Sequence, residues 1–165
     1  LWKHSTLADI AGLVSDDERA GLFILTLVRN PWDRMVSYYH WLRVQGFAHP
    51  AVGLAKALEF SPFLHHPHTR ASLRIWPYGA YLRDGTGTER CSLFARLEQL
   101  ETDLTPFEAH LGIRLTPLPR ANESARQRDW RGYYSDADAA LVGEVCAEDI
   151  GRFGYRFDDA GHLAG

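Results

Sequence analysis

Lysine, cysteine and methionine are scarce in this sequence, and no stretch of it is long and apolar. The two cysteines, Cys91 and Cys146, are isolated thiols without the close spacing that builds a metal site. Both stand among apolar residues, so both are expected to be buried and reduced. No apolar run approaches the roughly 20 residues that cross a bilayer. The opening Leu1-Trp2-Lys3-His4-Ser5 does not have the pattern of a secretory signal, and it carries no initiator Met. Repeats and low-complexity tracts are absent. Positive charge is not in excess: the formal net charge is −3, which disfavours non-specific nucleic-acid binding. Together these absences lead us to expect a cytoplasmic protein with no nucleic-acid partner.

What is present suits a globular domain. The chain has 165 residues, 45% hydrophobic and 24% charged. A single domain of that length buries roughly two thirds of its unfolded surface and needs no staples. Lys3 and Lys56 are the only lysines, so 16 of the 18 cations are arginines. The flat donor fork of arginine suits phosphate and sulfate, although a biased genome composition gives the same count.

Along the chain, residues 6–21 have helix-like spacing, with Ser15 placed to cap a short helix. Phe23 to Arg29 is a short apolar run rich in β-formers, which predicts a strand buried on both faces, as in a parallel sheet. Asn30-Pro31 follows, a good N-cap before a residue favoured at the first helical position. Residues 31–44 then put Met35, Val36, Tyr39 and Leu42 on one side of a helix. The region 45–80 is broken by Gly and Pro, with a helix expected around 51–60. Residues 84–90 read as a surface turn and Cys91 to Leu97 as a second strand. A helix is expected over 98–111, divided by Pro106 with Thr105 as the second N-cap. Ser135-Asp136 caps a last helix reaching about Arg152, with Ala140, Leu141, Val145 and Ile150 buried. Strands alternating with helices imply an α/β layered domain.

The unit from Leu25 to Tyr39 has a chemical meaning of its own. A helix N-terminus offers unpaired N–H groups and a partial positive charge, and an anion placed there gains from both. Arg29 stands at the end of the strand, where open α/β sheets bind ligands. Ser37 stands about two turns into the helix, so a guanidinium and a hydroxyl could grip one phosphate from two sides. Spacing alone also allows a plainer arrangement, in which Arg29 pairs with Asp33 and Ser37 is an incidental helix serine.

Val28-Arg29-Asn30-Pro31-Trp32-Asp33-Arg34-Met35-Val36-Ser37-Tyr38-Tyr39 resembles the 3′-phosphate-binding motif of sulfotransferases that use 3′-phosphoadenosine 5′-phosphosulfate (PAPS). The nearest likeness is to the carbohydrate group, which includes heparan 2-O-sulfotransferases and small bacterial relatives. Phe94-Ala95-Arg96-Leu97-Glu98, Asn122 and the stretch from Tyr133 to Phe157 extend the likeness over most of the chain. The resemblance implies a P-loop-NTPase-like three-layer α/β domain, with a central parallel sheet flanked by helices. It also implies that Arg29 and Ser37 hold the 3′-phosphate of PAPS and that a sulfuryl group moves to a hydroxyl, expected to be on a glycan, without a metal. By the same likeness His4 is the general base, a task that suits an imidazole near neutral pH. Arg126 and Arg128 would belong to a basic loop covering the nucleotide, and Trp32 or Trp130 could stack on adenine, although core packing suits them better.

The family's 5′-phosphosulfate loop, a strand–loop–helix with a pattern like Lys-Thr-Gly-Gly-Thr-Ser, has no counterpart in this sequence. We therefore expect residues 1–165 to be one sulfotransferase domain without its N-terminal strand–loop–helix. Two other functions stay open: a P-loop kinase relative using ATP, and a non-catalytic nucleotide-binding or interaction domain. His65-His66-Pro67-His68 is a poor metal site, since Pro67 breaks helical pairing. Gly85-Thr86-Gly87 lacks the helix a nucleotide loop needs. Asn122-Glu123-Ser124 is a formal glycosylation sequon.

Overall fold

A computed structural model describes residues 5–115, 117–118 and 129–159. Along them run helix α1 (Asp16–Ala20), strand β1 (Leu25–Val28) and helices α2 (Pro31–Arg43), α3 (Pro50–Ala57), α4 (Phe60–His65) and α5 (Pro67–Ile75). Strand β2 (Leu93–Arg96) and helices α6 (Leu100–Asp103), α7 (Thr105–Leu111), α8 (Asp136–Val145) and α9 (Ala147–Phe153) follow. The chain is thus mixed α/β. It divides into two compact units, Leu1–Val28 with Trp76–Pro119, and Arg29–Ile75 with Arg120–Gly165. No helix among the described residues is long and apolar enough to cross a membrane.

The first unit holds the sheet. β1 and β2 are parallel, with Leu25 opposite Leu93 and Val28 opposite Arg96. The ladder starts one residue early: the Ile24 carbonyl accepts from the amides of Ser92 and Leu93, and the Ile24 amide donates to Ser92 Oγ. The cover of β1 is partial. Val28 is fully buried, whereas Leu27 is 46% exposed, so the expectation of a strand buried on both faces is corrected for β1. Arg96 grips Asp103 through its backbone amide, Nε and Nη2 at 2.8–3.1 Å. This fixes α6 beside the strand end. The surface turn after Leu82 is organised by buried Asp84, which accepts from Thr86, Thr88 and Arg90. The Thr86 and Arg90 side chains hold its carboxyl well below the usual carboxylate range. Thr105 is the first residue of α7, and Leu104 occupies the cap position expected of Thr105. Leu104 is buried, and the α6 C-terminus runs directly into the next helix, which leaves no extended residue for a side-chain cap.

The second unit is helical. Met35, Val36, Tyr39 and Leu42 make the buried stripe of α2, at the spacing read from the sequence. They meet Val52 and Ala55 of α3, Phe60, Phe63 and Leu64 of α4, and Val142 of α8 in one core. Trp32, Trp130, Tyr134 and Phe157 form a second, aromatic part of this core, their rings edge to face at 5.2–6.1 Å. Two polar tips in the aromatic core have backbone partners. Trp32 Nε1 donates to the Ala139 carbonyl, and Tyr134 Oη donates to the Trp32 carbonyl. Ser15 and Ser135 cap α1 and α8 in reciprocal capping boxes with Glu18 and Asp138. The last helix is interrupted at Cys146, so α8 and α9 replace the single helix expected through Arg152. Glu148 and Asp149 fall in the first turn of α9, where carboxylates favour a new helix start. Ala140 is exposed because it lies on the face of α8 opposite the stripe of Asp138, Leu141, Val142 and Val145, and Ile150, beyond the break, is only partly covered.

Candidate functional site

The N-terminal end of α2 is built by Asn30. Its side-chain oxygen accepts from the Trp32 amide at 3.0 Å, which satisfies one of the unpaired donors of the first turn. Its Nδ2 donates to the Arg156 carbonyl at 3.1 Å, tying the helix start to the segment after α9. Asn30 is 4% exposed, so both bonds are shielded from water. Pro31 at the first helical position removes a donor that would otherwise lack a partner.

Arg29 immediately precedes this cap. Its Nε and Nη2 both lie 2.6 Å from Asp33 Oδ2, one turn into the helix, with side chains 24% and 14% exposed. The plainer arrangement that spacing allowed, an Arg29–Asp33 ion pair, is therefore present. Ser37 lies one further turn along α2, is partly covered, and makes no side-chain hydrogen bond to a described residue. Asp33 and Ser37 thus stand four residues apart on one stripe of α2, and Arg29 meets that stripe through its pair with Asp33. Arg34, beside them, approaches buried Asp149 at 3.8 Å.

Of the residues expected in the site, Arg29 stands just before α2, paired with Asp33, and Ser37 stands about two turns into the helix. His4, Arg126 and Arg128 lie outside the described residues. Trp32 and Trp130 are 6% and 2% exposed in the aromatic core, so neither ring face is open for stacking. His65 Nε2 is 3.0 Å from Asp138 Oδ1, and the His66 ring accepts from the His68 amide. No group of three metal-ligating side chains occurs among the described residues.

Two buried groups of the helical unit carry shifted acidities. Burial pushes the Cys146 thiol up to about 11, against the lowering effect of Arg34. It is therefore a packing residue rather than a nucleophile at neutral pH. Burial also raises the Asp138 carboxyl, but bonds from Ser135, Ser61 and His65 outweigh it and leave the group below its ordinary value. Ser61 Oγ donates to Asp138 Oδ1 at 2.6 Å. Sequence reading missed this cluster. Its members lie more than 70 residues apart in sequence, and Ser135 gave a local signal only for the cap.

No family model, curated protein or solved structure matches this chain.

Proposed function

We propose that this chain binds a nucleotide bearing a 3′-phosphate and belongs to an enzyme that moves a sulfuryl group from PAPS to a hydroxyl, expected to be on a carbohydrate. The observation that supports this best is the capped start of α2, with Arg29 just before it and Ser37 about two turns along it. A dianion at that end gains from the helix dipole and from a guanidinium. In this reading the two units belong to a P-loop-like three-layer domain, and Arg126 and Arg128 close over the nucleotide. His4 takes the proton of the acceptor hydroxyl as its oxygen bonds to sulfur and the S–O bond to the 5′-phosphate breaks. Positioning and electrostatics carry most of such a transfer.

The Arg29–Asp33 pair favours a second reading, in which this end is only a well-tied helix start in a non-catalytic module. One experiment separates the two. Thermal shift with 3′-phosphoadenosine 5′-phosphate, AMP and ATP should show selective stabilisation by the 3′-phosphorylated nucleotide, since a ligand that binds only the native state raises the melting point. Arg29→Ala should abolish the selectivity, and Ser37→Ala should weaken it several-fold. Equal responses to all three nucleotides would favour the module, and a stronger response to ATP would favour a kinase relative.

A further inference from the structure

Arg29 is already held before any ligand arrives, and this bears on how its end of α2 would take a phosphate. A guanidinium has five N–H donors. Asp33 Oδ2 engages Nε and Nη2, both at 2.6 Å. A single carboxylate oxygen thus accepts both bonds, and the Nη1 edge lies outside the pair. The carboxylate itself sits in the first turn of α2, a rigid base whose start is fixed by the two Asn30 bonds.

Resting on the function proposed above, we infer that Asp33 is a positioning residue for the 3′-phosphate. It fixes the long Arg29 side chain so that the remaining guanidinium donors are presented together to the phosphate. Arginine loses considerable rotamer freedom when it is captured in one geometry. If that freedom is already lost in the free protein, it no longer opposes binding. Asp33 has an opposing effect through its own negative charge, which repels a phosphate. The sign of the net effect is what the inference commits to: orientation outweighs repulsion, so removing Asp33 weakens 3′-phosphate binding.

Calorimetric titration of the full chain with 3′-phosphoadenosine 5′-phosphate and with AMP tests this. The ratio of the two affinities isolates the 3′-phosphate and is insensitive to a loss of helix stability shared by both ligands. Asp33→Ala should lower the ratio about three- to tenfold, an immobilised side chain's worth of affinity. Asp33→Glu should recover part of it, because the longer carboxylate still reaches Arg29. If Asp33→Ala does not fold, Asp33→Ser decides by the same ratio, since its short hydroxyl keeps a polar group in the first turn but removes both the charge and the reach to Arg29. A ratio that is unchanged or higher without Asp33, while Arg29→Ala lowers it, overturns the positioning role and leaves the proposed function standing. A ratio that Arg29→Ala does not move overturns both.

Discussion

Burial assigns the single residues around the α2 start to different tasks. Trp32 and Trp130 have the ring chemistry to stack on a base, but their faces meet Tyr134 and Phe157 instead. Arg29 and Ser37 are only partly covered, and that accessibility is what a ligand-binding role requires. Cys146 stands at the opposite extreme, 7% exposed with its thiol pushed up to about 11 from an ordinary value of 9.0. Two consequences follow for this residue. An alkylating reagent at pH 8 should label Cys146 only after denaturant is added, whereas rapid labelling of the native protein would contradict its burial. The thiol's folded value lies above its unfolded one, so the folded state retains this proton longer. Its contribution to stability is complete below pH 9 and is lost as the pH rises from about 9 to 11. Urea titrations of wild type and Cys146→Ala across that range should diverge in slope, with the wild type losing more.

At the scale of elements, the start of α2 depends on one side chain with two jobs. Asn30→Ala removes the cap on the Trp32 amide and the donor to the Arg156 carbonyl. Loss of such a cap typically destabilises by about 0.5–2 kcal/mol. Loss of the part-buried bond to the carbonyl of exposed Arg156 adds roughly 0.5–1.5 kcal/mol. Asn30→Asp should restore the cap but not the donor, and so fall between Asn30→Ala and wild type in urea denaturation. Equal stability of the two variants would mean that the bond to Arg156 contributes nothing. The cap itself was legible in the sequence, because Asn-Pro before an apolar stripe is a local signal. The bond to Arg156 was not, since its partner lies 126 residues away. The same division holds elsewhere. Ser15, Ser135 and the parallel β1–β2 pair followed from local pattern. The interruption at Cys146 and the partial cover of β1 depend on what each element packs against. Asp138 illustrates both at once: its part in the Ser135 capping box is local, and its bonds to Ser61 and His65 come from α4.

For the molecule as a whole, composition and periodicity were enough for a mixed α/β chain, while the division into two units depends on contacts that no local pattern encodes. The candidate site divides in the same way. Arg29 and Ser37 lie eight residues apart on one continuous segment, so helical spacing was enough to suggest them as a pair. A base and a covering loop must come from distant parts of the chain, and only likeness to a family proposes His4, Arg126 and Arg128 for those tasks. The proposed division of labour has a kinetic signature. His4→Ala should leave affinity for 3′-phosphoadenosine 5′-phosphate unchanged, because the imidazole would act on the acceptor and not on the nucleotide. In an assay of sulfuryl transfer from PAPS to a panel of hydroxylated sugars, the same variant should lose about 10²–10⁴-fold in rate, the usual contribution of a positioned general base. The wild-type rate should rise with pH through the range where an imidazole loses its proton, near 6.5, and His4→Ala should flatten that rise. Arg29→Ala should show the reverse pattern, with weakened nucleotide binding and an unaltered pH profile at saturating PAPS. A His4→Ala variant that loses nucleotide affinity along with rate would place His4 in the binding site instead, and the role of base would pass to another group.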